Sequence, residues 1–149
     1  MNSKQLKLKI VTPERLIFEE MVDQVSLPTT EGEITILPDH IPLIAGLVSG
    51  DIVSVVNSEH VPIAVVGGFI EVKKNEKGET EVAVLADFAE HVAEISDAEI
   101  EKAKVRSLEL KKQMENKEHV DFEHLEAELE RSLTRVKIAD KWRTRKYRK

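Results

Sequence analysis

The side chains that most often do chemistry are scattered along this sequence and form no catalytic motif. There is no Gly-x-Ser-x-Gly nucleophile motif, no phosphate-binding glycine loop ending in Gly-Lys-Ser/Thr, and no His-Glu-x-x-His zinc motif. Cysteine is absent, which excludes disulfides, thiolate metal ligands and a cysteine nucleophile. The histidines are spread over predicted strands, turns and helices: His40, His60, His91, His119 and His124. We predict no catalytic site and no metal site, since His119 and His124 alone are too few ligands for zinc.

Two arginines near the C-terminus have the spacing of an anion-binding pair. Arg131 and Arg135 are four residues apart, so on a helix both guanidinium groups lie on one face. A pair of this kind can hold a phosphate or a carboxylate. The alternative is ordinary surface charge, because Glu128 and Glu130 are close by.

The C-terminal tail is strongly basic, in contrast to the rest of the chain. Residues 137–149 hold seven Lys or Arg against one Asp, a charge of +6, which leaves −12 on the other residues for the net charge of −6. An acidic body does not favour nucleic-acid binding, so we predict no nucleic-acid partner. Trp142 and Tyr147 among the basic residues suit a frayed helix end or docking to an acidic protein surface.

Residues 31–47 are the irregular stretch around which the N-terminal part is organised. Pro38 and Pro42 bracket Asp39-His40-Ile41, so the backbone there has fixed turns and is not helical throughout. An ordered loop that carries a polar pair is typical of a contact surface. The alternative is a plain connection between strands that its prolines stiffen.

All six glycines and all five prolines lie at or before Gly78, and this change in composition divides the chain. The first part has short apolar segments separated by turn residues, which predicts an antiparallel β-sandwich or barrel. Within it, Gly67-Gly68 predicts a bend between strands or a close approach of another backbone. We place a β-domain over residues 1–87 and a helical domain over residues 88–149. No apolar run approaches the roughly 20 residues that a membrane span needs.

Beyond Ala86 the apolar residues recur at helical spacing and predict two helices joined by a short polar loop. Residues 96–99, Ser-Asp-Ala-Glu, form a capping box, and Ile95 and Ile100 have the spacing of a hydrophobic staple. The apolar stripes are narrow: Ile100, Ala103, Ser107, Leu110 and Met114 on the first helix, and Phe122, Leu125, Leu129, Leu133 and Val136 on the second. An antiparallel hairpin held this weakly is marginally stable and can detach, extend or dock elsewhere.

With these segments in place, the whole chain resembles the epsilon subunits of F-type ATP synthases. The residues that carry the likeness are 11–13 (Val-Thr-Pro), 31–43 (Glu-Gly-Glu-Ile-Thr-Ile-Leu-Pro-Asp-His-Ile-Pro-Leu), 67–72 (Gly-Gly-Phe-Ile-Glu-Val) and 84–87 (Val-Leu-Ala-Asp). Their order, their spacing and the two helices that follow make the match specific. The resemblance implies an α+β chain in two parts, a ten-stranded antiparallel β-sandwich followed by a two-helix hairpin.

The resemblance also implies a function. A chain of this kind is a non-catalytic subunit of the central stalk, bound to gamma and resting on the proteolipid ring at the cytoplasmic face of the plasma membrane. Glu31, Glu33 and His40 are then expected at or near the contact with the ring or gamma. In similar proteins the hairpin extends along gamma and blocks rotation in the hydrolysis direction. Basic residues of its second helix then meet acidic residues of the catalytic alpha and beta subunits.

Some bacterial relatives in this family bind ATP in the folded hairpin, through an Ile/Leu-Asp-x-x-Arg-Ala motif and later arginines. The matching run here is residues 120–125, in which Asp121 fits and a His-Leu pair replaces the Arg-Ala pair. Arg131 and Arg135 fall where the later arginines are expected. We expect no cofactor, and any regulatory ATP binding to be weak. The alternative function is a free-standing nucleotide-sensing module, whose hairpin closes over a nucleotide at these arginines.

Overall fold

The computed structural model describes residues 4–115 and 122–147. They form two compact units, a β unit that ends at His91 and a helical unit that begins at Val92. The strands of the first are β1 Leu6–Val11, β2 Leu16–Val22, β3 Gln24–Thr29, β4 Gly32–Ile36, β5 Leu43–Leu47, β6 Gly50–Val56, β7 Glu59–Lys74 and β8 Thr80–His91. The second contains a 3-10 turn Val92–Glu94 and the helices α1 Asp97–Glu115 and α2 Phe122–Tyr147. β8 therefore runs past Asp87, where the sequence places the domain boundary.

The β unit has two layers because its two longest strands bend together. Residues 68–72 of β7 pair with β5, whereas residues 59–65 pair with β6. β8 follows the other edge of β7 in one continuous register, in which the pair Gly67–Asp87 is missing between Val66–Phe88 and Gly68–Ala86. One layer has the order β2-β1-β8-β7-β5. The other layer consists of the end of β8, the first half of β7, and then β6, β3 and β4.

The resemblance implies ten antiparallel strands, and this prediction is wrong in the number of strands and in the direction of one pair. The two-layered sandwich and the two helices are confirmed. The described residues form eight strands, because β7 with 16 residues and β8 with 12 each pass from one layer to the other. In addition, β1 pairs with β8 in parallel, from Lys7 opposite Glu81 to Val11 opposite Leu85. These are the first and last strands of the unit, so no hairpin turn between them requires an antiparallel pair.

The bend in β7 lies at Gly67 and Gly68, whose φ angles are +58° and +126°. A Cβ atom added to Gly68 would lie 2.0 Å from the carbonyl oxygen of Leu85, on the neighbouring strand. Both expectations for this pair are therefore confirmed, since the chain bends there and another backbone approaches closely. Glycine is required because L residues with a side chain rarely adopt such a φ angle.

The core of the β unit follows from the alternation along its strands. In β1, Leu6, Leu8 and Ile10 are fully buried while the residues between them face outward. Each of the eight strands contributes at least one buried apolar residue to the same cluster. This shared core holds the two layers together and fixes the orientation of the outward-facing side chains.

The start of α1 is as the sequence predicts. The Glu99 N–H donates to Ser96 Oγ at 3.2 Å, and the Ser96 N–H donates to the Glu99 carboxylate at 3.4 Å. Ile95 and Ile100 are buried in one cluster with Ala139 of α2. The capping box and the hydrophobic staple are thus confirmed.

The two helices run antiparallel, and the face that α2 turns to α1 is only partly the one predicted. Arg106 of α1 bonds Glu128 of α2, while Glu99, nearer the start of α1, bonds Arg135, further along α2. Phe122 and Leu133 of the predicted stripe are 50% and 41% exposed, whereas Val136 packs against the buried cluster that contains Ala139. The line through residues 128 and 135, which carries the ion pairs, therefore also faces α1.

Candidate interaction surfaces

A row of apolar side chains lies on the outer face of the layer β2-β1-β8-β7-β5. Val11 pairs with Leu16 on one side and Leu85 on the other, and Leu85 pairs with Phe69, so the four residues share one register position. Leu16, Leu85 and Phe69 are 51%, 60% and 65% exposed. We call Leu16, Val11, Leu85 and Phe69 the apolar row. With strands about 4.8 Å apart, it is about 15 Å long.

A shallow depression of about 250 Å³ lies beside the apolar row. The described residues that line it are apolar except for one carboxylate: Ile44, Phe69, Ile70, Glu71, Ala83 and Leu85. Ile44 is highly exposed, as is Ile41 in the loop between β4 and β5. A contiguous exposed apolar surface with a charged edge is typical of a protein–protein contact.

The loop between β4 and β5 is held in place by side chains from other elements of the β unit. The Asp39 carboxylate accepts hydrogen bonds from Lys4 Nζ at 2.7 Å and from Lys74 Nζ at 3.3 Å. Its backbone N–H donates to the buried Thr80 Oγ1 at 2.7 Å. Asp39 itself has a φ of +70°, a conformation that these contacts maintain. The loop is therefore ordered, as a contact surface requires.

Acidification is expected to loosen this loop. The hydrogen bond from Lys4, followed by that from Lys74, holds the pKa of the Asp39 carboxyl below its usual value. A carboxyl whose pKa is lowered by folding contributes stability above its ordinary pKa, and the contribution disappears as pH falls through the lowered value. NMR protection factors of the Asp39 and His40 amides, which donate to Thr80 Oγ1 and the Leu37 carbonyl oxygen, should therefore fall from about pH 6 to about pH 2. Asp39→Asn should lower them already at pH 6, and wild-type protection in that variant would contradict the account.

The predicted contact residues Glu31, Glu33 and His40 are not brought together. Glu31 is exposed at the turn between β3 and β4 and Glu33 near the start of β4, whereas His40 follows the opposite end of β4. That strand has five residues, which corresponds to about 16 Å at 3.3 Å per residue. His40 Nδ1 is 2.7 Å from the carbonyl oxygen of Ile41. Two separate contacts fit these positions better than one.

Of the residues predicted to bind ATP, Arg131 and Arg135 lie one turn apart on α2, and Asp121 lies outside the described residues, as does His119. The Arg135 guanidinium donates to the Glu99 carboxylate at 3.1 Å, and its side chain is 26% exposed. Among residues 4–115 and 122–147, no group of three His, Asp or Glu is placed to hold a metal ion. The described helices include none with the length and apolar character of a membrane span.

The β unit matches the family model described as ATP synthase, Delta/Epsilon chain, beta-sandwich domain, over residues 5–92. This chain belongs to the ATP synthase delta/epsilon family. The match covers β1 to β8, including the bend at Gly67 and Gly68, the apolar row and the loop that carries Asp39. The family that the sequence resembles is therefore confirmed.

Similarity to epsilon chains of the family covers nearly the whole length. The ATP synthase epsilon chain of Dehalococcoides mccartyi (strain ATCC BAA-2100) is 40% identical over 145 residues, covering 93% of this chain and 95% of the relative. That of Nitratidesulfovibrio vulgaris (strain DP4) is 38% identical over 135 residues, covering 91% and 96%. As a delta/epsilon-family member of the epsilon type, this chain is a non-catalytic subunit of the ATP synthase.

A solved structure supports the fold. A chain of the Euglena gracilis mitochondrial ATP synthase, in an OSCP/F1/c-ring assembly, aligns with a TM-score of 0.65 at 22% identity. The alignment covers 87% of this delta/epsilon-family chain and 78% of the Euglena chain, so the shared architecture includes most of each.

The apolar row is not among the predicted contact residues, although the sequence contains a signal for it. Phe69-Ile70 and Val84-Leu85 are adjacent apolar pairs inside strands. Because neighbours in a strand point to opposite faces, one member of each pair must leave the core. Ile70 and Val84 are fully buried, so Phe69 and Leu85 face outward.

Proposed function

We propose that this chain is the epsilon subunit in the rotor of a proton-translocating F-type ATP synthase, where its β unit joins gamma to the proteolipid ring. The family membership and the epsilon-chain relatives support a place in that complex. The observation that carries the joining role is the apolar row, an exposed apolar surface on an otherwise packed sandwich. The chain is then a peripheral subunit at the cytoplasmic face of the plasma membrane.

We assign the apolar row to gamma. Burying three large side chains that are more than half exposed, Leu16, Leu85 and Phe69, would supply the apolar centre of a stable contact. The depression beside Phe69 can accept an apolar side chain, and Glu71 at its edge can pair with a base. Its carboxylate is now 3.4 Å from Lys73 Nζ, an exposed pair that a partner can replace at low cost. Ile44 lines the same depression, and His40 lies a few residues before it in the adjoining loop, so we include His40 in the gamma contact.

We assign Glu31 and Glu33 to the ring. Both residues are exposed, Glu31 on the turn between β3 and β4 and Glu33 at the start of β4. The turn is anchored because the Thr30 N–H donates to the Gly46 carbonyl at 3.0 Å, and Gly46 pairs with Phe69 of the apolar row. One rigid sheet therefore presents a polar edge for the ring next to an apolar face for gamma.

We assign the restraint of ATP hydrolysis to α1 and α2. The buried cluster that includes both helices is small, with Ile95, Ile100 and Ala139 at its centre and Val136 packed against it. A pair of helices with a small shared core can separate and extend, because most of the stability of helices in proteins comes from tertiary packing. The extended α2 would place Arg131, Arg135 and the basic tail against acidic residues of the catalytic alpha and beta subunits.

The alternative of a free-standing nucleotide-sensing module is less well supported by the hairpin. A phosphate bound at Arg135 would lie beside the Glu99 carboxylate, which already accepts a hydrogen bond from the guanidinium and repels a second anion. We therefore expect weak regulatory ATP binding at most. Isothermal titration of the full chain with Mg-ATP, repeated with Arg131→Gln and Arg135→Gln together, measures it directly.

Assembly tests the proposal. The full chain, carrying an affinity tag, is expressed with the other subunits of a bacterial F-type ATP synthase from which the resident epsilon subunit has been deleted. We expect gamma and the proteolipid ring to co-purify with it through size-exclusion chromatography in detergent. A chain that elutes alone would overturn the rotor assignment and favour the nucleotide-sensing alternative.

A further inference from the structure

The two helices are joined by ion pairs at the start and at the middle of α1. Near its start, the Glu99 carboxylate accepts from Arg135 at 3.1 Å, and Asp97 pairs with Arg143. At its middle, Arg106 bonds Glu128 through two nitrogens, at 2.7 Å and 3.2 Å. The first two pairs have the acid on α1 and the base on α2, whereas the third has the reverse polarity. Of these three pairs, the first two therefore occupy cations of α2.

The buried positions of the two helices combine a few large apolar side chains with small residues. The inward positions of both helices include small polar residues, Ser107 on α1 and Ser132 on α2. Ser107 Oγ donates to the Ala103 carbonyl of its own helix at 2.8 Å, so it does not bond α2. Replacing large apolar side chains by serine lowers the energy gained on burial, which leaves a larger share of the closed state to the ion pairs.

Asp97 and Glu99 are fixed where they hold these arginines. Glu99 is the last residue of the capping box, so the start of α1 orients its carboxylate towards Arg135. Asp97 is the first residue of α1 and pairs with Arg143, which also donates to the Ile95 carbonyl oxygen at 3.3 Å. The start of α1 thus offers carboxylate and carbonyl oxygens to two arginines of α2, as an acidic protein surface would.

We propose that Asp97 and Glu99 compete with an acidic surface of the catalytic subunits for the same two arginines of α2, Arg143 and Arg135. This inference rests on the proposed function, in which α2 inhibits by binding such a surface. A guanidinium paired with α1 is not available to the partner, so every inhibitory contact made through Arg135 or Arg143 requires that its internal pair be broken first. The acids of α1 therefore set how readily the hairpin inhibits.

Hairpin opening in the isolated full chain is the first test. The chain has no cysteine, so Lys111→Cys and Glu123→Cys provide the two sites for spin labels, one on each helix. Asp97→Asn with Glu99→Gln should raise the ratio of long to short label distances about four- to ninefold, two- to threefold for each pair. Glutamine keeps the capping box, so the change removes charge and not the helix start. Raising the salt from about 20 mM to about 500 mM should raise the same ratio in the wild type.

The matched control is Glu101→Gln, which removes an acid of α1 that pairs with Lys104 of the same helix at 3.7 Å. It should leave the label distances and their salt dependence unchanged. A double variant at Asp97 and Glu99 that behaves like this control would overturn the proposal.

ATP hydrolysis by the assembled complex is the second test. It distinguishes competition for the arginines from ion pairs that only keep the hairpin closed. Glu99→Gln and Arg135→Gln break the same pair and should open the isolated hairpin alike. In the complex, Glu99→Gln should lower hydrolysis about two- to threefold by freeing Arg135, whereas Arg135→Gln should raise it. If both variants changed the hydrolysis rate in the same direction, the proposed competition would be wrong. If hydrolysis responds to neither variant nor to removal of both helices, the proposed function fails instead.

Discussion

Replacing Gly68 with alanine is expected to lower the free energy of unfolding of the β unit by about 3 kcal/mol or more. The new Cβ would lie 2.0 Å from the carbonyl oxygen of Leu85 and 2.9 Å from the Cα of Ala86. Both are backbone atoms of β8, so they cannot move aside without separating β7 from β8 at the point where both strands change layers. The φ of +126° adds strain for any residue with a side chain. Urea denaturation followed by circular dichroism measures the loss.

Gly78→Ala separates the steric clash from the strain. Gly78 also has a positive φ, +78°, but nothing lies within 4 Å of a Cβ added there. Its replacement should cost about 1 kcal/mol, the strain alone. If Gly68→Ala were no more costly than Gly78→Ala, the close approach of β8 at the bend would be contradicted.

Replacing Leu85 with aspartate is expected to weaken binding to gamma by about 30-fold or more while leaving the fold intact. Leu85 is the central member of the apolar row, between Val11 and Phe69, and its side chain is 60% exposed. A carboxylate there costs little in the free chain because it is solvated, but it must be desolvated in the contact. Titration of purified gamma with each variant measures the affinity, and thermal unfolding verifies the fold.

Met21→Asp provides the matched control for Leu85→Asp. Met21 is also exposed on the same layer, but it lies on the edge strand β2 opposite Lys7, away from the apolar row. We expect it to reduce the affinity for gamma less than threefold, the range of ordinary surface changes. Equal losses from the two variants would contradict the assignment of gamma to the apolar row.

The division into a β unit and a helical unit could be predicted from sequence because its signals are local. Glycine and proline end at Gly78, and the capping box at residues 96–99 marks the start of α1 within a single turn of chain. The bend at Gly67 and Gly68 was open to prediction for the same reason. A glycine pair between two apolar segments usually marks a bend in a strand or a close approach of another backbone.

The strand count and the pairing could not be predicted because they depend on contacts between distant residues. β1 and β8 are more than seventy positions apart in sequence, and their parallel register is set by the shared core. β5 is bounded by Pro42 and contains Gly46, so its residues lack the signature of a strand until β7 pairs with them. The side of α2 that faces α1 likewise depends on Arg106 and Glu99 across the interface.

The contact role of Glu31, Glu33 and His40 stays a prediction. Glu31 and Glu33 are exposed, but strand β4 separates them from His40, and the sequence does not show where that strand ends. Arg131 and Arg135 share a helix, as their spacing indicates. The bond between Arg135 and Glu99 could not be predicted, because the capping pattern at the start of a helix gives no sign of what lies across from it.

ATP hydrolysis by the assembled complex, comparing the full chain with one that ends at residue 91, tests the central claim most directly. The cut follows the observed end of β8 and removes α1 and α2 while it keeps the apolar row, Glu31, Glu33 and His40. We predict that the shortened chain still co-purifies with gamma and the ring, and that hydrolysis rises about fivefold or more. Unchanged hydrolysis in a complex that retains the shortened chain would contradict the role of the helices as a restraint.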